Sequence, residues 1–235
     1  MGTHLQRYSR RLCCVEINSS FYRPHAAKTY ARWRDSTPPD FRFAVKMPRT
    51  ITHEQKLQNV RQTLVAFLGE TDGLADKRGP ILVQLPPSFS FDVSVVRAFL
   101  DLLRKDYAGL VVCEPRHPTW FSAEVNSLLQ EYRISRVAAD PSRVPEAAEP
   151  AGWLGLAYFR LHGSPRMYWS RYDESYIRTL AGSARGITSA EEVWCVFDNT
   201  ASGAAIENAW QLREHVTVKP RRASRKTSPA KAARR

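Results

Sequence analysis

The chain has 235 residues, long for one ordinary domain but within the range of a single α/β barrel. Hydrophobic residues make up 43% and charged residues 25%, enough to bury a sizeable core, which excludes a wholly disordered chain. Lys and Arg number 35 against 23 Asp and Glu, a formal charge of +12, but eight of those cations lie in residues 219–235, where there is no acid. The rest of the chain carries about +4, an ordinary value that weakens the case for the folded part as a nucleic-acid binder.

In chain order, MGTHLQRYSRR has no apolar stretch of signal type, and no later segment approaches the roughly 20 apolar residues of a membrane span. The expected location is the cytoplasm. His4–Leu12 reads as a helix. Short apolar runs follow at Cys13–Ile17, Phe41–Val45, Ile81–Leu85, Leu110–Cys113, Arg136–Ala139, Leu156–Leu161 and Val193–Phe197. Between them, Val96, Phe99, Leu100 and Leu103 fall on one helix face. Val125, Leu128, Leu129 and Tyr132 do the same, with Ser122 placed to cap. Strands apolar on both faces that alternate with helices imply a parallel sheet, because hairpins cannot supply such connections. Seven such runs predict a β/α barrel or a doubly wound sheet. No glycine-rich fingerprint follows any strand, which lowers the nucleotide-binding version. Residues 1–217 therefore form the predicted domain, and 218–235 a basic tail expected to be disordered. The four cysteines (Cys13, Cys14, Cys113, Cys195) form no C-x-x-C pair and read as small buried thiols in a reducing compartment.

In a parallel barrel the active site lies at the carboxyl ends of the strands. Here every run closes in residues that packing explains poorly. The first ends in Glu16 and Asn18, followed by Tyr22 and Arg23; the second in Lys46; the third holds Gln84. The fourth gives Glu114, Arg116 and His117, with Trp120 close behind. The fifth ends at Asp140, and the sixth carries Arg160 and His162, followed by Tyr168. The last closes in Asp198 and Asn199. A lone charge at a strand end usually marks where the chain meets water; seven ends mixing acids, bases and amides predict a pocket.

These segments, Glu16-Ile-Asn18-Ser-Ser-Phe21-Tyr22-Arg23, Phe43-Ala-Val-Lys46, Leu82-Val-Gln84-Leu-Pro86-Pro87, Glu114-Pro-Arg116-His117-Pro-x-Trp120-Phe121, Arg160-Leu-His162-Gly163 and Phe197-Asp198-Asn199, together resemble the domain-of-unknown-function 72 family, also called YecE-like. The resemblance runs in consistent order from about Leu5 to Leu212. It implies a TIM-like β/α barrel with these polar residues gathered at its mouth, and it implies no reaction. Members usually begin with a strand carrying a Gly-Trp-Ser-type segment, whereas this chain starts at the helix that follows. The expectation is therefore a barrel of seven visible strands, open where that strand would lie, and a longer chain more stable than this one.

The residue types suggest an enzyme acting by hydrolysis or proton transfer on a small anionic or polyhydroxylated ligand. Glu16, Lys46, Glu114, His162 and Asp198 are the candidate catalytic residues. Asn18, Tyr22, Arg23, Gln84, Arg116, His117, Trp120, Arg160, Tyr168 and Asn199 are the candidate binding residues. Lys46, Arg116 and Arg160 suit a carboxylate or phosphate; the other reading pairs them with Glu16, Glu114 and Asp198 inside the barrel, and the two are compatible. Glu16 and Glu114, set apart across the mouth, would suit acid–base cleavage of a sugar linkage. Lys46 would serve as a Schiff-base amine if its pKa were lowered, but a salt-bridged lysine is far commoner. Glu114, His117, His162 and Asp198 are of metal-ligating type, but their spacing matches no metal motif and no cofactor is expected. Two other readings stand beside the enzyme: a nucleic-acid-binding or processing protein using the mouth and, weakly, the tail, and a ligand-binding barrel without catalysis.

Overall fold

The computed structural model describes residues 2–217; the basic tail lies outside the described residues. In chain order the elements are α1 (His4–Ser9), β1 (Cys14–Ile17), α2 (Ala27–Asp35), β2 (Arg42–Lys46), α3 (Arg61–Thr71), β3 (Arg78–Gln84), α4 (Val93–Asp106), β4 (Val111–Glu114) and α5 (Ala123–Glu131). They continue with β5 (Ile134–Arg136), β6 (Ala138–Asp140), β7 (Ala151–Gly152), β8 (Leu156–Leu161), α6 (Glu174–Gly186), β9 (Glu192–Phe197) and α7 (Ala204–Thr217).

Local sequence accounts for most of these boundaries. Asp92 caps α4 by accepting from the amides of Ser94 and Val95, and the stripe Val96, Phe99, Leu100 and Leu103 is buried. Ser122 caps α5 through the Val125 amide, with Val125, Leu128 and Leu129 buried. Tyr132 ends that helix and sends its hydroxyl to Asp101. α1 stops at Ser9, short of the expected Leu12.

The strands form two sheets, one in the order β1-β2-β3-β4-β5-β7 and one in the order β6-β8-β9. Every pairing is parallel except β5 with β7. The architecture is thus mixed α/β with parallel-dominated sheets. The run Arg136–Ala139 is not one strand. Ile134–Arg136 pairs with β4, Ala138–Asp140 pairs with β8, and Val137 between them sends its amide to Cys113. One stretch of chain therefore leaves the first sheet and enters the second. β7 was not expected, since two residues are too short to show a period.

Outside the sheets, Phe43, Val45, Ile81 and Val83 pack with the buried faces of α3, α4 and α5. Phe159, Leu161 and Phe197 pack with α6 and α7. A third cluster of Ala44, Leu82, Val112, Val137, Tyr158 and Trp194 draws on both sheets at once. Trp194 stacks on Tyr158 with ring centroids 5.9 Å apart. The helix faces are covered and the inner face is filled, as a two-layer core requires.

One seam is not closed. β1 pairs only with β2 and β9 only with β8, so each presents a free edge among the described residues. A cleft runs between them, with cavities of about 550 and 280 Å³ that share Tyr8, Leu12, Cys14, Cys195, Phe197 and Ala209. The exposure is partly main chain. Glu16 is half-buried as a residue while its side chain is 1% exposed. Cys14 and Cys195 sit half-buried on the two walls, Cys113 is buried, and Cys13 is exposed, contrary to the expectation of four buried thiols. Cys13 precedes the first residue of β1 in register with β2, although its carbonyl still accepts from the Arg42 amide.

Candidate functional site

Strand alternation sends Tyr158, Arg160 and, just past β8, His162 to one face. β1 contributes Glu16, β2 Lys46, β3 Gln84, β4 Glu114, and the end of β9 Asp198. Six strand ends in two sheets thus supply one polar cluster.

Arg160 is its centre. Its Nε and Nη2 donate to the two Glu16 oxygens at 3.0 and 2.7 Å, and Nη1 donates to Glu114 Oε2 at 2.5 Å. Nη2 also reaches Asp198 Oδ2 at 3.3 Å. The side chains of Arg160 and Glu16 are each 1% exposed, and that of Glu114 is 3% exposed. Tyr158 donates to Glu16 Oε2 at 2.8 Å and Gln84 to Glu114 Oε2 at 3.0 Å. Each buried carboxylate is thereby paired and further hydrogen-bonded, the condition under which buried charge is tolerated.

His162 bridges the other side. Its Nδ1 lies 3.2 Å from Asp198 Oδ2 and its Nε2 3.3 Å from Glu114 Oε1. Arg116 also donates to Glu114 Oε1, through Nε and Nη2 at 3.2 and 3.1 Å. Asp198 and Arg116 face the mouth, with side chains 20% and 18% exposed. Gly163 shapes the turn that follows. At φ +92°, a Cβ there would meet Ser170 O at 2.8 Å and Asn199 Cβ at 3.0 Å, so only glycine fits. Tyr168 takes a left-handed backbone at φ +64° and sets its ring edge-on to His162, 5.7 Å away.

These contacts displace the acidities. Burial works against the Glu114 carboxylate, but Arg160, His162 and Arg116 outweigh it and hold Glu114 well below the usual range. Asp198 is lowered the same way, its burial outweighed by His162 and Arg160. Burial disfavours the His162 imidazolium, yet the bonds to Asp198 and Glu114 raise it. Lys46 goes the other way. Burial first, then the positive charge of Arg160, push it down to about 8. Its Nζ sits 4.0 Å over the Phe21 ring, and no carboxylate lies within salt-bridge distance of it among the described residues.

The expected separation of Glu16 and Glu114 across the mouth is not what the protein has. One guanidinium bridges both, because two buried carboxylates need a common counter-ion. Arg160, expected to grip a ligand, is used inside the fold. Trp120 is 1% exposed and donates to Phe89 O, so it packs rather than stacks on a ligand. Asn199 is buried and tied to Ser170 O and Asn208. His117 turns to Thr119 and caps the short helical turn after it. Tyr22 and Arg23 are exposed at the rim, Tyr22 edge-on to Phe21. Asn18 lines the open cleft with its Oδ1 buried and unpartnered. Among the described residues no three of His, Cys, Asp or Glu gather in an arrangement suited to a metal ion. Glu114 and Asp198 point their oxygens at Arg160 and His162 instead.

Sequence reading missed Tyr158, which the period of two from Arg160 would have shown, and His53. His53 is edge-on to Phe21 at 4.9 Å and is lowered by burial and by Lys46 and Arg116. A small cavity of about 20 Å³ opens at the mouth, lined by Glu114, Arg116, Phe121, Pro141, His162 and Met167.

A family model described as "Protein of unknown function DUF72" matches residues 2–233. The YecE protein of Escherichia coli K12, carried under the family name UPF0759, is 34% identical over 154 residues, covering 63% of this chain and 56% of that protein. The match thus spans little more than half the length of that relative. YunF of Bacillus subtilis is 24% identical over 246 residues, covering 91% of this chain and 86% of that one. Among solved structures, a DUF72 family protein from Enterococcus faecalis superposes with a TM-score of 0.79 at 24% identity, covering 92% and 94% of the two chains. One from Thermotoga maritima does so with a TM-score of 0.74 at 26% identity, covering 86% and 84%.

Proposed function

The chain belongs to the DUF72 family, and from that premise we propose that it is an enzyme that moves a proton on a small anionic substrate at the carboxyl ends of its parallel strands. The observation that carries this reading is His162 held between two carboxylates at the edge of the mouth cavity. Asp198 fixes Nδ1. Glu114 Oε1 is shared with Arg116, so the hold on Nε2 is the weaker one, and Nε2 is the end from which a proton reaches the cavity. The bonds to Asp198 and Glu114 raise the pKa of His162 and so favour its protonated form, the one able to give up a proton. Arg116 and Lys46 supply positive charge for the substrate's anionic group, and Arg160 serves as a positioning residue that pairs with Glu16 and favours the ionised form of Glu114.

Two features disfavour sugar hydrolysis. The carboxylate pair expected for it is bound to Arg160, and the mouth cavity of about 20 Å³ has no room for a sugar ring. In this reading the two sheets are the arms of one TIM-like β/α barrel, open between β1 and β9, and the unpaired thiols fit the reducing cytoplasm.

The test is a thermal-shift panel of small carboxylates and phosphate monoesters, followed by proton NMR of the stabilising compounds in deuterated water. The expected result is stabilisation that Arg116→Ala removes, and loss of an exchangeable carbon-bound proton signal that His162→Gln prevents. Failure of every anion to stabilise, or exchange undiminished in His162→Gln, refutes the proposal.

A further inference from the structure

The described residues contain two buried lysines, and their surroundings differ. Lys77 is 7% exposed and donates three hydrogen bonds, to Arg34 O, Thr37 O and the Thr37 hydroxyl. Lys46 is 8% exposed and has none; its one close partner is the Phe21 ring. A salt-bridged lysine is the ordinary outcome beside three carboxylates, yet Glu16, Glu114 and Asp198 turn to Arg160 and His162 instead. With His162 protonated, Glu16, Glu114 and Asp198 balance Arg160, Arg116 and His162, and Lys46 is the surplus cation. The charges that bear on its amine are Arg160, Arg116, Glu114, Glu16 and Asp198, with His53 on the far side of Phe21. A buried ammonium without a counter-ion costs stability, and a fold retains one where the amine has chemical work to do.

We propose that Lys46 is a covalent site, its Nζ adding to the carbonyl carbon of a short oxo acid to form a Schiff base. The inference rests on the anion-binding reading of the mouth, since Arg116 takes the carboxylate. The unprotonated amine forms the carbon–nitrogen bond while the carbonyl oxygen accepts a proton from the acid at His162. The resulting carbinolamine loses its nitrogen proton, the carbon–oxygen bond breaks, and water leaves with a second proton. No oxidant or reductant is consumed. At neutral pH the free-base fraction of Lys46 exceeds that of an exposed lysine by about three hundredfold, given an amine lowered to about 8.

The experiment uses the full chain with glyoxylate as probe and cyanoborohydride as trap at pH 7.5, read by peptide mass mapping. Trapping delivers hydride to the imine carbon and leaves a carboxymethyl group on the lysine. The expected result is labelling of Lys46 at least tenfold above the exposed Lys28 and Lys105, with the excess lost in Lys46→Arg. Labelling of Lys46 no greater than that of Lys28 in the unaltered protein overturns the inference. A parallel melting curve with glyoxylate alone separates the two readings. Stabilisation without labelling sinks the covalent step and leaves the anion site standing; neither effect sinks both.

Discussion

Lys46→Met is expected to make the protein more stable. In the unfolded chain the lysine keeps its proton up to its ordinary 10.5, and in the folded chain only up to about 8. That gap corresponds to about 3 kcal/mol of folding free energy set against the native state. Because a base has been lowered, the penalty is full at pH values below about 8 and disappears as pH rises toward 10.5. Methionine restores an uncharged side chain of similar length and forfeits the contact of the ammonium with Phe21, about 1 kcal/mol. The net gain is about 2 kcal/mol at pH 7, a rise in Tm of about 4–8 °C for a domain of this size. Urea unfolding of both proteins at pH 7 and again at pH 10.5 measures it. The midpoints should differ at pH 7 and converge at the higher pH. A variant no more stable at pH 7, or an advantage that persists undiminished at pH 10.5, shows that the ammonium is not the strained group this geometry makes it.

Arg160→Met leaves Glu16 buried without a counter-ion and Glu114 with only Arg116 and His162, and should cost about 3–5 kcal/mol in urea unfolding; a loss under 1 kcal/mol would contradict its central place. Stability should fall as pH drops through the lowered values of Glu114 and Asp198, which contribute only while ionised. The contribution of raised His162 is complete below 6.5 and fades as pH rises through its folded value, so His162→Gln should flatten the neutral-to-alkaline limb of the curve. Amides on the open edges of β1 and β9 should exchange with deuterium faster than those of β3 and β4; equal protection by mass spectrometry would argue against an open cleft. From sequence alone, truncation at Val218 removes eight cations and should abolish most DNA binding at low salt, with filter binding as the readout.

The strand runs were legible because parallel strands buried on both faces must be apolar throughout, and Leu156–Leu161 appears with the bounds its composition implies. The polar residues at the strand ends were legible for the same reason. Each interrupts an apolar run where a parallel sheet presents its carboxyl edge, and Glu16, Gln84, Glu114, Arg160, His162 and Asp198 do come together. The pairing among them was not legible. Whether Glu16 and Glu114 face each other across open space or share one guanidinium depends on how far the two sheets bend toward each other. That bend is set at Val137, a single apolar residue in a run with no turn signal. Asn199 follows a strand end in sequence as closely as Arg116 does, and Trp120 comes four residues after Arg116. Their side chains nevertheless return to Phe89 O and to Asn208, backbone and helix partners distant in sequence.

The same bend explains why the site can hold a strained lysine at all. A cluster in which every charge has a partner is stable and chemically inert, because each group is satisfied in its resting form. Arg160 pairs with three carboxylates from the floor of the mouth, and among the described residues none of them forms a salt bridge with Lys46 on β2. Lys46, one strand from Glu16 in the sheet order, is then close enough to feel Arg160's charge, which Glu114 and Glu16 offset only in part. The stability gained by pairing the acids and the reactivity left on the amine are two consequences of placing one arginine on β8. Exchanging Arg160 for a shorter cation would free a carboxylate for Lys46, and the amine would return toward its ordinary value. Trapping with glyoxylate should therefore weaken in Arg160→Lys even where that variant folds, and undiminished trapping would separate the reactivity of Lys46 from the arginine that this geometry makes its cause.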